Sequence, residues 1–249
     1  MKISVVIPVY NEEKYIVQCL QSIAKQQTKP DEVIVVDNNC SDATVSLAKQ
    51  FPFVRIVEGK KQGMIAARNA GFNAATYEII ARCDADTKLP PYWISRIHRN
   101  FDRYKIDALT GPILFYDVPI KTSRIARAYL DLMKPLLRGK ETLIGPNMIL
   151  TKEVWNKVKN VVCLNDKRVH EDIDLAYHIH EVGGIIKRDD RLIVYTSSRR
   201  IKKNPQSFFG EYPVRFMKTL LYHDKGVASM KRRITLPAWY TSRRVRKKT

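Results

Sequence analysis

Two aspartates one residue apart, Asp84 and Asp86, follow an apolar run that ends at Cys83. If the extended backbone continues through them, their side chains point to the same side, because strand side chains alternate with a period of two. Two carboxylates on one side suit a hard divalent cation such as Mg²⁺ or Mn²⁺, which keeps coordination positions for substrate phosphates. The pair therefore predicts an enzyme that handles a diphosphate, although such pairs also occur in ordinary turns.

The two aspartates follow the last of four apolar runs that predict strands. These runs cover residues 3–9, 32–37, 53–57 and 77–83, and helical patterns at 16–23, 42–51 and 63–75 lie between them. Strands that alternate with helices predict an α/β fold with a mostly parallel, Rossmann-like sheet flanked by helices. Ligands of such sheets bind at the carboxyl ends of the strands. Polar residues also follow the first two strands, at Tyr10-Asn11-Glu12 and Asp37-Asn38-Asn39.

The pattern changes from about residue 107. Residues 107–115 and 142–150 predict further strands, and an amphipathic helix is predicted between them over 123–137. A short helix over 151–158, a helix that contains residues 170–177 and short strands near 185 and 192–195 complete this part. The sequence contains neither Gly-x-Gly-x-x-Gly nor a P-loop motif, so it supports neither a dinucleotide fold nor a P-loop fold.

The net charge of +19 is concentrated at the C-terminal end. Residues 199–249 contain fifteen Lys and Arg but two acidic residues, which gives this segment a net charge of +13. The excess predicts an anionic partner, namely a lipid surface, a phosphorylated substrate or nucleic acid, and a solvated tail is the alternative. Residues 208–222 have an apolar helical face beside these cations, which is typical of a helix in a membrane interface. That face could equally pack on the rest of the protein.

The hydrophobic runs, the N-terminus and the cysteines bear on the cellular location of the protein. No run reaches the roughly 18 apolar residues of a membrane-spanning helix, and the N-terminus lacks the pattern of a signal peptide. The four cysteines are widely spaced and form no metal-type pair. We therefore predict a reduced, cytoplasmic protein. Peripheral association with the inner face of the membrane through the basic segment and packing of that segment on the domain stay open as alternatives.

Five motifs together resemble the family 2 glycosyltransferases, which have the GT-A fold. They are Val5 to Glu12, Val35-Val36-Asp37-Asn38, Gly63 with Ala67 to Gly71, Asp84-Ala85-Asp86, and Gly145 to Met148 with Glu171-Asp172. The resemblance implies a GT-A domain over residues 1–200, with a nucleotide-sugar half at 1–106 and an acceptor half at 107–200. A basic amphipathic extension follows at 201–249. The family commonly has Asp-Asp-Gly-Ser after its second strand, whereas this chain has Asn38 at the second position.

The resemblance also implies roles for individual residues of the nucleotide site. Pro8, Tyr10 and Glu12 would border the base, and Tyr10 offers an aromatic face for stacking. Asp37 would accept a hydrogen bond from the base. Arg68 would lie nearby and offer its charge to Asp37 or to the diphosphate.

Further roles concern the metal, the acceptor and the reaction. Asp84 would lie beside the ribose, and Asp86 would bind the Mn²⁺ or Mg²⁺ that bridges the phosphates. Gly145-Pro146-Asn147 would form an acceptor-side wall, so Asn147 and Glu171 join the predicted substrate-binding residues. Asp172 would be the general base, although acidic residues at a helix start also stabilise the helix dipole. Asp174, two residues further on, is the rival base.

The function implied is an inverting, metal-dependent transfer of a sugar from a nucleoside diphosphate sugar, with a UDP-sugar favoured, to a hydroxyl acceptor. The acceptor could be lipid-linked or a polysaccharide. One alternative is a metal-dependent sugar nucleotidyltransferase, for which the residues after the first strand have the wrong composition. Another is a basic nucleic-acid-binding protein, but carboxylates at strand ends would repel phosphates unless a metal intervenes.

Overall fold

The structure is a computed structural model that describes residues 1–118, 127–128, 130–132, 134, 139–199, 202 and 212–230. In the last segment, side chains are described for residues 214–223. The predicted helix over 123–137 therefore lies largely outside the described residues. So do residues 208–211 of the predicted amphipathic face.

Among the described residues, nine strands form two sheets. Seven of them make one sheet in the order β3-β2-β1-β4-β7-β5-β8, and β6 pairs with β9 in a small second sheet. The strands are β1 Ile3–Val9, β2 Glu32–Asp37, β3 Val54–Glu58, β4 Ile79–Arg82, β5 Ala108–Thr110, β6 Ile113–Phe115, β7 Met148–Thr151, β8 Ile186–Arg188 and β9 Val194–Thr196. The strands β1 to β4 are mutually parallel, whereas β7 runs antiparallel to both β4 and β5. The predicted mostly parallel α/β fold is confirmed.

In the part of the chain that the structure describes, seven α-helices flank or follow the sheets. They are α1 Ile16–Ala24, α2 Thr44–Ala48, α3 Met64–Ala74, α4 Trp93–Arg103, α5 Lys152–Val158, α6 Glu171–Glu181 and α7 Tyr212–Met230. Within the described residues, no helix combines the length and the apolar character needed to cross a membrane.

The core has two layers because the central strands are buried on both faces. Along β1, Val5 and Ile7 pack into the layer that contains α1 and α4, while Val6 packs into the layer that contains α3, α5 and α6. The alternation follows from the period of two of a strand. Burial on both faces explains why the strand sequences are continuous apolar runs.

Two strand predictions in the second half are wrong. The predicted strand 107–115 is two strands in different sheets, divided at Gly111-Pro112. A Cβ atom at Gly111 would lie 2.1 Å from the carbonyl oxygen of Leu192, and Pro112 has no N–H to donate to a ladder. The predicted strand 142–150 is paired in the sheet only from Met148, because Gly145–Asn147 forms a single 3₁₀ turn.

Candidate active site

The carboxyl ends of β1, β2 and β4 meet at one edge of the large sheet. Their register places Val9 beside Asp37 and Val6 beside Arg82, so the segments that follow these strands are neighbours. The loop after β1 is tied to the loop after β2, because the backbone N–H of Ser41 donates to Asn11 Oδ1 at 2.8 Å. This edge is where the sequence predicts ligand binding.

Asn11 and Asn39 give these two loops their shape. Their φ angles are +53° and +65°, in the left-handed region that asparagine tolerates better than most residues. Asn38, which stands where the family commonly has an aspartate, is buried and organises a third loop. Its side chain donates to the carbonyl of Lys61 and accepts from the N–H of Gly63. Asn38 therefore connects the loop after β2 to the loop before α3, at a position where the family commonly has an aspartate.

The predicted nucleotide-side residues line this edge. Pro8 lies within β1 opposite Val36, and Tyr10 is 52% exposed just beyond the strand. Asp37 ends β2, and its Oδ1 accepts from the backbone N–H of Cys40 at 2.8 Å. Tyr10 therefore has the exposure that stacking requires, while one oxygen of Asp37 already stabilises its own turn.

Asp84 and Asp86 lie in a turn, because β4 ends at Arg82. The assumption that extended backbone continues through both aspartates is therefore wrong. Asp84 accepts a 3.0 Å ion-pair hydrogen bond from Arg82. Asp86 is more buried, and burial together with the charge of Asp84 raises its pKa. The two carboxylates remain on the ligand edge but have separate partners.

Arg199, like Arg82, is a residue of this site that the sequence does not reveal. Its guanidinium donates to Asp86 Oδ2 at 2.9 Å, pairs with Glu12, and stacks over the Tyr15 ring at 4.4 Å. A second hydrogen bond to Asp86 comes from the Thr196 hydroxyl. In the sequence, Arg199 begins the basic C-terminal segment, and nothing distinguishes it from the cations that follow.

A buried ion-pair chain connects this edge to the start of α6. Arg82, 2% exposed, bridges Asp84 and Glu171, and its hydrogen bond to Glu171 is 2.5 Å long. Arg68, fully buried, donates to the Glu171 backbone carbonyl at 2.9 Å and lies 3.4 Å from its carboxylate. The described charge partner of Arg68 is thus Glu171 and not Asp37, and the predicted alternative, a contact with the diphosphate, stays a prediction. Burial lowers the pKa of Arg68, whereas the charges of Glu171 and Asp84 outweigh burial and raise the pKa of Arg82.

Asp172 follows this chain at the N-terminus of α6. Its Oδ1 lies 2.6 Å from Nδ1 of His170, and its Oδ2 accepts from the N–H of Gly145 at 3.3 Å. Burial alone would raise the pKa of Asp172, but the charge of His170 and the hydrogen bond to it lower that pKa overall. Asp172 in turn raises the pKa of His170 against the effect of burial. The pair favours an ionised carboxylate, which is the form that accepts a proton.

The rival base, Asp174, points into the protein. It is 0% exposed and its oxygens accept from the N–H of Cys163 at 2.9 Å and contact His223 at 2.9 Å. A fully buried carboxylate with these partners has no surface on which to meet an acceptor. The geometry favours Asp172 over Asp174.

Asn147 has a structural role in place of the predicted substrate contact. Its side chain is fully buried, accepts from the Trp93 indole at 3.0 Å and donates to the carbonyl of Leu192 at 2.6 Å. The amide thus links the 3₁₀ turn to α4 and to the segment before β9. Its wrong assignment came from the position of Gly145-Pro146-Asn147 in the resemblance, which does not indicate where a side chain points.

The sequence also matches known families and proteins. The model of the family described as "Glycosyl transferase family 2" matches residues 4–162, which is more than half of the chain. The glycosyltransferase GlyA of Streptococcus pneumoniae is 31% identical over 114 residues, which are 44% of this chain and 16% of GlyA. The chain therefore spans a small part of the length of this curated relative.

Solved structures share the fold. TarS residues 1–349 of S. aureus, in complex with UDP-GlcNAc, superposes with a TM-score of 0.63 at 21% identity, covering 80% of this chain and 59% of that one. The mannosyltransferase PcManGT of Pyrobaculum calidifontis, in complex with GDP-Man and Mn²⁺, gives 0.62 at 19% identity, covering 96% and 77%. At these identities the likeness concerns the fold alone.

Proposed function

Because this chain belongs to glycosyl transferase family 2, we propose that it transfers a sugar from a nucleoside diphosphate sugar to an acceptor hydroxyl with inversion. A UDP-sugar is the favoured donor. The observation that carries this proposal is the buried chain from Asp84 through Arg82 to Glu171, which connects the segment after β4 to the first turn of α6, where Asp172 lies. This connection supports a donor site and a base that belong to one site.

The donor side follows from the exposed groups at the strand ends. Tyr10 presents an aromatic face for the nucleotide base, bordered by Pro8 and Glu12, and the remaining oxygen of Asp37 can accept from that base. Asp84, partly exposed with a side-chain accessibility of 26%, is the candidate for the ribose. Arg68 acts through Glu171, which it neutralises, and contacts no group of the donor edge directly.

The oxygen ligands at Asp86 fit a hard divalent cation, Mn²⁺ or Mg²⁺. A carboxylate has about four lone-pair positions, and the contacts with Arg199 and Thr196 take one at each oxygen. When bound, such a cation would act as a Lewis acid that stabilises the charge of the leaving diphosphate. Two neighbouring solved structures containing Mn²⁺ support this assignment, namely PcManGT and a synthase from Mycobacterium tuberculosis.

Arg199 prepares the site for the anionic donor. It is a permanent cation that pairs with Glu12 and Asp86. Beside a divalent cation held by Asp86, its guanidinium would add a second positive charge for the phosphates. An arginine beside a diphosphate can donate two parallel hydrogen bonds.

Asp172 takes the proton of the acceptor hydroxyl as its oxygen attacks the anomeric carbon. The carbon–oxygen bond to the diphosphate breaks in the same step, so the configuration inverts and no covalent enzyme intermediate forms. His170 holds Asp172 Oδ1, which leaves Oδ2 and its weak 3.3 Å contact with Gly145 for the acceptor. General-base assistance typically contributes a factor of about 10²–10⁴.

A panel of nucleotide sugars tests this function. Each is incubated with the protein and Mn²⁺, and released nucleoside diphosphate is measured with and without sugar, polysaccharide and lipid-linked acceptors. We expect release with one donor class, accelerated by an acceptor, and a product of inverted configuration. Consumption of nucleoside triphosphate and sugar phosphate instead would indicate the alternative, a sugar nucleotidyltransferase.

We also propose that the C-terminal segment docks the enzyme on an anionic membrane surface. On α7, Val214, Met217 and Leu221 are 52%, 53% and 56% exposed and recur at helical spacing, so they form one outward apolar stripe. The sequence on either side of the helix is rich in Lys and Arg, and each cation near an anionic leaflet contributes about 1 kcal/mol. A location on the cytoplasmic leaflet would bring the enzyme close to a lipid-linked acceptor.

Vesicle co-sedimentation tests the docking. The full chain should bind vesicles that contain anionic lipid, lose binding as salt rises, and lose it in the triple variant Val214→Gln, Met217→Gln, Leu221→Gln. Leu164→Gln is the control, because Leu164 is 65% exposed outside α7. Equal binding to neutral vesicles, or no binding to either kind, would show that the docking proposal is wrong.

A further inference from the structure

A cluster of three ligand-type side chains joins α6 to α7. Asp174 and His178 lie four residues apart on α6 and therefore on one face of that helix, and His223 reaches them from α7. Their ligand atoms all lie within 4.8 Å of one another. The three residues are 0%, 9% and 4% exposed, so the cluster is buried between the helices.

The distances between the ligand atoms of the cluster are compatible with coordination of one metal ion. His223 Nε2 lies 2.9 Å from Asp174 Oδ1, and His178 Nε2 lies 3.7 Å from the same oxygen. Bonds of about 2.0–2.2 Å in a tetrahedral zinc site separate neighbouring ligand atoms by about 3.4 Å. Small side-chain rotations would bring all three atoms to that separation.

His178 supplies an independent indication that a ligand is needed. Among the described residues, its buried Nε2 has no hydrogen-bond partner, while its Nδ1 lies 2.7 Å from Glu181. If Nδ1 carries the proton that this contact requires, Nε2 presents a lone pair toward the carboxylate of Asp174. Two acceptors that face each other in a buried site are unfavourable unless a metal cation or a second proton lies between them.

The surroundings orient the three ligands in the way metal sites require. The carboxylate of Glu181 fixes the ring of His178, and the N–H of Cys163 holds the second oxygen of Asp174 at 2.9 Å. The ring of His223 stacks on Tyr177 with centroids 4.0 Å apart. Partners that set the tautomer and orientation of metal-binding histidines commonly raise metal affinity.

From these observations we propose that Asp174, His178 and His223 bind Zn²⁺, which cross-links α7 to the helix that begins at Glu171. Two imidazoles and one carboxylate suit a borderline metal such as zinc and disfavour Mg²⁺ or Ca²⁺, which prefer oxygen ligands alone. The site is separate from the Asp86 site in residues and in ligand chemistry. It does not depend on the proposed sugar transfer.

The test is metal binding by the full chain without nucleotide. Protein stripped with a chelator is titrated with Zn²⁺ by calorimetry, and its Tm is followed with and without the metal. We expect one zinc per chain and a rise in Tm of several degrees. His178→Gln and His223→Ala should each weaken zinc binding at least tenfold and remove the rise in Tm, and circular dichroism checks that each variant is folded.

Two control variants keep this test specific. His98→Gln removes a histidine of α4, outside the cluster, and should bind zinc as the unaltered protein does. Asp86→Ala removes the candidate donor-site ligand and should also retain the zinc. If the unaltered protein binds no zinc, or if both cluster variants bind it with unchanged affinity, the proposal is wrong and the cluster is a hydrogen-bonded Asp–His pair.

Discussion

The first turn of α6 has two sides that use the same kind of residue differently. On one side, Asp172 keeps 14% of its side chain exposed and is paired with His170. On the other, Asp174 is fully buried and is held by Cys163 and His223. Two residues along a helix correspond to a rotation of about 200°, so one carboxylate faces the ligand edge and the other faces α7. The two residues are of the same type, so their different roles depend on burial and on contacts. Asp172 is suited to act as a base, whereas Asp174 connects α6 to α7.

The largest expected effect is the loss of turnover when Asp172 is replaced. Asp172→Asn should lower kcat by about 10² or more, because the amide cannot take a proton. Donor affinity should change little, since the base acts on the acceptor. Steady-state kinetics together with UDP titration measure both quantities.

Asp174→Asn is the matched variant for the buried side. It should lower the Tm while lowering kcat far less than Asp172→Asn does, because Asp174 contacts α7 and the Cys163 backbone. If instead Asp174→Asn abolishes turnover in folded protein and Asp172→Asn is mild, the assignment of the base is reversed.

The second effect concerns the ion-pair chain that joins the two halves of the site. Glu171→Ala leaves Arg68 and Arg82 buried without their shared partner, which should cost about 3–5 kcal/mol of unfolding free energy. Urea denaturation measures it. Glu153→Ala is the control, because Glu153 pairs with Lys157 on the surface of α5, where removal should change stability little. Equal effects of the two variants would contradict a structural role for the buried chain.

The smallest expected effect concerns the contact between His170 and Asp172 and its dependence on pH. The pKa of His170 is raised above its unfolded value, mainly by Asp172 acting against burial. Its stabilising charge is therefore present below about pH 6.5 and is lost as pH rises through the folded pKa. His170→Asn should lower the unfolding free energy at pH 5.5 by about 1.5–3 kcal/mol, the range for a hydrogen bond to a charged group. At pH 9 the loss should be smaller, and a loss that does not depend on pH would contradict the ion pair.

The sequence predicted the first half of the fold well and the second half less well. The strands β1, β2 and β4 are mostly apolar runs buried on both faces, so their pattern is clear. The segments 107–115 and 142–150 are interrupted by Gly111-Pro112 and by Pro146, and their short strands depend on contacts with Leu192 and with neighbouring strands. Such contacts are long-range and leave little trace in a local pattern.

The candidate site shows the same limit. The strand-end carboxylates could be found because motif and strand end coincide in the sequence. The contact of Arg199 with Asp86 joins residues 113 positions apart, and the Arg68–Glu171 contact joins residues 103 apart. The spacing of residues along the sequence cannot reveal either contact. Asn147 was misassigned for the same reason, because its burial depends on Trp93 and Leu192.

We expect the carboxylates that follow the strands to bind a nucleoside diphosphate together with a divalent cation. Calorimetric titration of the full chain with UDP, in Mn²⁺ and again with a chelator, tests it most directly. We expect affinity to be markedly higher with Mn²⁺, and Asp86→Ala to remove the difference between the two conditions. Equal affinity in both conditions for the unaltered protein would contradict the account.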